Sequence, residues 1–125
     1  MNMKSIPVSK IDGPLLDWAA AKVYGFTNIE IVKGKIMIPS PEILGGVVLI
    51  WEPSRNWTQG GAIIERAKIE ISPCGKKEWK AELKGTIQFG GNPLRAAIRC
   101  YVEANTGEIE FSFSDEIWNQ LKGVA

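Results

Sequence analysis

The chain has 125 residues, 45% hydrophobic and 23% charged, the balance of a soluble globular protein with one core. Fifteen lysines and arginines against fourteen acids leave a net charge of +1, which encodes no general pull toward nucleic acid or anionic membrane. The lack of any histidine excludes Ser-His-Asp and Cys-His catalysis and histidine-ligated metals, and two cysteines alone make neither a four-ligand zinc site nor a disulfide scaffold.

Residues 1–10 carry Lys4 and Lys10 but no apolar stretch of signal-peptide length. The longest apolar run, Val47 to Trp51, is too short to cross a bilayer, so a cytoplasmic protein with reduced thiols is expected. Asp12-Gly13-Pro14 opens a first helix with a capping side chain and a first-turn proline. Leu15, Trp18, Ala19, Lys22 and Val23 follow at helical spacing, and Gly25 closes it. Ile29–Val32 and Lys35–Ile38, joined by Lys33-Gly34, read as a hairpin stopped by Pro39-Ser40-Pro41. Val47–Trp51 suits a strand buried on both faces, while Lys68–Ile71 and Glu78–Leu83 alternate as half-buried strands with Cys74 in the turn between them.

Asn92 and Pro93 begin a second helix with Leu94, Ala97, Ile98, Tyr101 and Val102 as its apolar stripe, ending at Asn105-Thr106-Gly107. A strand over Glu108–Phe113 and a short helix capped by Ser114 and running through Leu121 complete the chain. No linker, repeat or low-complexity segment divides residues 1–125. The class is a single α+β domain, a mostly antiparallel sheet packed with two main helices and a short C-terminal helix.

Two stretches hold more unusual residues than folding requires. The first follows the apolar strand: Trp51-Glu52-Pro53-Ser54-Arg55-Asn56-Trp57-Thr58-Gln59-Gly60-Gly61, continuing to Arg66. Read as a polar loop at a strand end, it offers Trp57 to stack a flat ring, Arg55 to pair an anion, and Asn56 or Gln59 to read polar edges. Trp51 belongs to the strand and plugs the core. The second stretch, Gln88 to Arg95 with Arg99 one turn on, places Gly90-Gly91 and Asn92 before a helix whose first turn carries Arg95. A cation there opposes the helix dipole, which suggests an anion nearby; the ordinary alternative is a loop before a capped helix and a surface pair between Arg99 and Glu103. Cys100 reads as a small buried hydrophobe rather than a nucleophile.

The run Trp51-x-Pro53-Ser54-x-x-Trp57-x-Gln59-Gly60-Gly61-x-Ile63-Ile64-Glu65-Arg66, with Asn92-Pro93-Leu94-x-Ala96-Ala97-x-Arg99-Cys100-Tyr101-Val102, resembles the NinX-like family of small phage and prophage proteins. Leu16-Asp17-Trp18-Ala19-x-Ala21-Lys22 is similar to that family's opening helix. The chain departs at Asn56, where aspartate is usual, at Ala62 in place of proline and at Asn92 in place of threonine. The resemblance implies phage origin and a host cytoplasm; the family is a domain of unknown function, so it carries no activity over.

The residues favour a non-enzymatic module for a small anionic, nucleotide-like ligand, with one use in a phage being to counter host defence by sequestering a signalling nucleotide. The expected site is Arg55, Asn56, Trp57, Gln59, Gly60, Gly61, Arg66, Asn92, Arg95 and Arg99, with no catalytic residue, metal or cofactor. The alternative is a module that binds a host or phage protein through the same Trp/Arg loop. Membrane and nucleic acid are not expected partners, and an enzyme, which would rest on Glu52, Glu65 or Cys100, ranks third.

Overall fold

The structure, a computed structural model, describes residues 3–39 and 48–123. Strand β1 (Met3–Pro7) pairs antiparallel with β8 (Glu110–Ser114), Ile6 opposite Phe111, so the two ends of the described chain close one small sheet. A 3-10 turn over Val8–Lys10 leads into helix α1 (Gly13–Tyr24), which stops at Gly25 with φ +100°, a left-handed conformation that glycine adopts without a Cβ penalty. The hairpin of β2 (Glu30–Val32) and β3 (Lys35–Pro39) turns on Lys33 and Gly34, both at positive φ, which matches the right-handed twist of the strands.

Strand β4 (Val48–Ile50) adds to β3 antiparallel. The expected strand buried on both faces is corrected here. Val48, Leu49 and Ile50 are 52%, 42% and 37% exposed, because β4 forms the edge of a three-stranded sheet. Ser40, Pro41 and Val47 of the sequence reading lie outside the described residues.

Residues Trp57–Ala67 form helix α2, where the sequence reads as a loop. Asn56 caps it, its side chain accepting from the Gln59 N–H at 3.2 Å. A third sheet, β5 (Glu70–Pro73), β6 (Trp79–Leu83) and β7 (Thr86–Gly90), is an antiparallel meander; β7, like β1, escapes the sequence reading. Helix α3 (Pro93–Thr106), capped by Asn92 as expected, lies across β6 and β7 and packs on α1 and α2. Helix α4 (Asp115–Leu121) is capped by Ser114, whose hydroxyl accepts from the Ile117 N–H.

The core is centred on α3, where Ala96, Ala97, Ile98, Cys100 and Val102 are fully buried. Small side chains there let neighbouring backbones come close. Helix α1 is buried nearly all round, at Leu16, Asp17, Ala19, Ala20 and Ala21, rather than on the Leu15/Trp18 stripe that its spacing suggests. The protein is α+β, with four helices and three small antiparallel sheets among the described residues.

The double glycine of α2 is two different residues in physical terms. A Cβ on Gly60 would lie 2.4 Å from the Pro53 carbonyl oxygen and 2.6 Å from Leu94 Cδ2, whereas one on Gly61 would meet nothing within 4 Å. Gly60→Ala is expected to cost about 1–3 kcal/mol through overpacking. Gly61→Ala is expected to stabilise by about 0.5–1 kcal/mol, by removing backbone freedom in a helix interior. Urea unfolding of the two variants beside the parent checks this; midpoints moving in the same direction would refute the close-approach account.

Candidate functional site

Sequence Trp51-Glu52-Pro53-Ser54 carries the chain from β4 to α2 over the surface of α1. Trp51 is 6% exposed and its indole N–H donates to the Asp17 carbonyl at 3.0 Å. Ser54 donates its backbone N–H (2.8 Å) and its hydroxyl (2.9 Å) to the two carboxylate oxygens of Asp17. Gln59 then reaches back from α2, accepting from the Glu52 N–H at 2.7 Å and donating to the Ile50 carbonyl at 2.7 Å. Asp17 and Gln59 thereby pair the Ser54 and Glu52 N–H groups and the Ile50 carbonyl, which would otherwise be left open at the turn.

On one side of this segment lies a cavity of about 500 Å³. Its floor is apolar, formed by Ile6, Ile11, Leu15, Phe113 and the Trp118 indole. Among the described residues, Lys10, Arg55 and Arg95 line it against a single carboxylate, Asp12, with Ser54 and Asn92 completing the polar rim. Arg95 Nε lies 2.7 Å from Asp12 and Arg99 Nη2 lies 3.5 Å from the same oxygen, so Asp12 is the anion that the cation in the first turn of α3 anticipates. The expected cap by Asp12 is corrected: its side chain makes no capping bond to α1. Arg55 pairs with Glu52 at 3.4 Å.

On the other side of the segment lies a cavity of about 420 Å³, walled by Tyr24, Phe26, Trp51 and Leu49 and by the Thr58, Gln59, Ala62 and Arg66 face of α2. The ten expected residues therefore separate. Arg55, Asn92 and Arg95 come together in the first cavity, and Gln59 and Arg66 in the second. Asn56 is committed to its cap, and Gly60 and Gly61 are turns of a helix. Trp57 is 60% exposed and lines neither cavity.

Arg99 is buried. It donates to the Ile11 carbonyl at 3.0 Å and the Phe89 carbonyl at 2.8 Å, and burial lowers its pKa from the ordinary value while Asp12 acts the other way. The Arg99–Glu103 pair does not form; Glu103 accepts instead from the Gln88 amide. Cys100 is fully buried, and burial, with Glu103 nearby, pushes its thiol up to about 11, which leaves it unreactive at neutral pH. No cluster of three or more Cys, Asp or Glu side chains among the described residues is placed to hold a metal ion, and no described helix is long and apolar enough to cross a membrane.

Residues 7–105 match the family described as Bacteriophage P22, NinX. The match takes in the whole Asp17–Ser54 crossing and the rim residues Lys10, Asp12, Arg55, Asn92 and Arg95, and stops before Phe113 and Trp118 on the floor. No curated protein matches the chain.

Sequence reasoning missed Asp17, although the signal was present as a lone acid among Leu16, Ala19 and Ala20 on a helix. Burial pushes its carboxyl up to about 7, against the two Ser54 hydrogen bonds and Arg55, which favour the charged form. A carboxyl raised in the folded state binds its proton more tightly there than in the unfolded chain. Its contribution is thus fully present below the ordinary value of 3.8 and is lost as pH rises through about 7. A rise from 3.8 to about 7 corresponds to roughly 4 kcal/mol. With no histidine in the chain, no imidazole titration obscures the window. Stability measured by urea unfolding is expected to fall between about pH 4 and 7 in the parent and to fall much less in Asp17→Asn; equal pH dependence in the two would mean that Asp17 is charged throughout.

Proposed function

This chain belongs to the bacteriophage P22 NinX family, and we propose that it is a non-enzymatic module holding a small anionic, ring-bearing molecule of the nucleotide class in the cavity between α1, α3 and α4. The observation that carries the reading is the composition of the wall. Among the described residues, three cations face one carboxylate around an apolar floor with an indole in it, in a volume of about 500 Å³. That volume falls within the usual range of about 300–1,000 Å³ for small-ligand sites. Arg95 supplies a planar fork suited to phosphate or carboxylate oxygens, and Lys10, which pairs with no carboxylate among the described residues, supplies a mobile point charge. The ring of such a ligand would lie on Trp118 and the aliphatic floor. In a phage protein one use of such a module is to sequester a host signalling nucleotide.

The exposed Trp57 favours a second reading, a protein partner anchored on that indole. The two readings assign opposite roles to Trp57. Ligand binding in the cavity is indifferent to Trp57→Ala, while partner capture through the exposed indole is abolished by it.

Isothermal titration of the full chain with nucleoside monophosphates, cyclic dinucleotides and inorganic phosphate tests the ligand reading. Saturation at a hundred times Kd is expected to stabilise the fold by about 2.7 kcal/mol. Lys10→Gln is expected to weaken binding several-fold. Asp12→Asn, which removes the only carboxylate of the wall among the described residues, is expected to tighten it several-fold. No binding by any of these compounds, or the same sign of change in both variants, overturns the proposal.

A further inference from the structure

We propose that the second cavity, between the end of α1, β4 and the outer face of α2, is a separate binding site for a flat aromatic carboxylate. The inference does not depend on the nucleotide reading, since the two cavities share no lining residue. Its wall is rich in aromatic rings. The Tyr24 and Phe26 rings stack at 4.8 Å and 16°, and Trp51 meets Phe26 edge-on at 4.9 Å and 74°. Leu49, Ile38, Ala62 and Ile63 complete an apolar surface that water cannot hydrogen-bond. An aromatic ring fits such a wall by offset stacking, which adds to its area burial.

The charge over this wall is Arg66. Its Nη1 donates to the Tyr24 hydroxyl at 2.6 Å and its guanidinium carbon lies 5.6 Å from that ring's centre, which fixes the fork over the cavity. Arg55, Arg95 and Arg99 each pair with Glu52 or Asp12. Arg66 pairs with no carboxylate among the described residues and keeps most of its five donors for an incoming one. Thr58 stands two turns before Arg66 on the same exposed face of α2, where its hydroxyl adds a polar group to the rim. A ring on the aromatic wall with a carboxylate on the Arg66 fork satisfies both features at once.

The test is a titration of the isotope-labelled chain with naphthoate and, as the uncharged match, naphthamide, followed by the indole N–H resonance of Trp51 and the Nε–H resonance of Arg66. Naphthoate is expected to shift both in a saturable way, and naphthamide to bind about tenfold more weakly, the loss of one charge-assisted pair. Arg66→Gln is expected to remove the preference for the acid. Ala62→Leu, at an exposed helical position one turn before Arg66, fills the cavity while keeping the Arg66 charge and is expected to abolish both shifts. Equal binding of acid and amide, or shifts that survive Ala62→Leu, overturn the proposal; so does the absence of any shift at Trp51.

Discussion

The carboxylate of Asp17 joins the first helix to the segment on which both cavities are built. It accepts two hydrogen bonds from Ser54, while the carbonyl of the same residue accepts from Trp51, so one residue of α1 holds both ends of Trp51-Glu52-Pro53-Ser54. Hydrogen bonds to a charged group contribute about 1.5–3 kcal/mol each, yet desolvating a carboxylate costs several kcal/mol. The raised pKa of Asp17 records which side wins: burial outweighs the Ser54 donors. An apolar side chain at this position would pack without that penalty. What the carboxylate supplies is direction, since it fixes the backbone and the hydroxyl of Ser54 at defined angles, which an apolar contact does not.

From that anchor the position of α2 follows. Pro53 is fully buried and its carbonyl sits where a Cβ on Gly60 would be, so the turn and the helix lie in direct backbone contact. Gln59 staples the first turn of α2 back to Ile50 and Glu52. The segment thereby becomes a partition. Ser54 and Arg55 face the cavity toward α3 and α4, and Trp51, Gln59 and Arg66 face the cavity toward β4. A loosened Asp17–Ser54 contact would disturb both sides together.

Features set by local chemistry were legible in the sequence. The Asn92-Pro93 start of α3, the Ser114 cap of α4 and the Lys33-Gly34 hairpin each depend on a few neighbouring residues, and each formed as read. Features set by tertiary packing were not. Two glycines made α2 look like a loop, but Gly60 is demanded by the approach to Pro53 and Leu94, a contact across the chain that no local pattern announces. The apolar run Val47–Trp51 looked buried on both faces, yet Val48, Leu49 and Ile50, on a strand at a sheet edge, are exposed and only Trp51 reaches the core. The same reason divided the site. Read as a loop, residues 51–66 could wrap one ligand with Arg95; as a strand end, a turn and a helix they separate two hollows, and only Arg55, Asn92 and Arg95 meet.

The charge arrangement explains how a chain of net charge +1 can hold local positive sites. Asp12 stands at the start of α1 but turns its carboxylate to Arg95 and Arg99 of α3, so one negative charge answers two guanidiniums while Lys10 adds a third cation nearby. At physiological ionic strength, interactions between exposed charges decay over about 8 Å. An extended polyanion therefore averages over a surface on which acids and bases nearly cancel, and gains little. A small anion inside the cavity meets only the charges of its wall, against an apolar floor that weakens screening. On the proposed reading, this is why a compact anion rather than an extended polyanion suits such a wall.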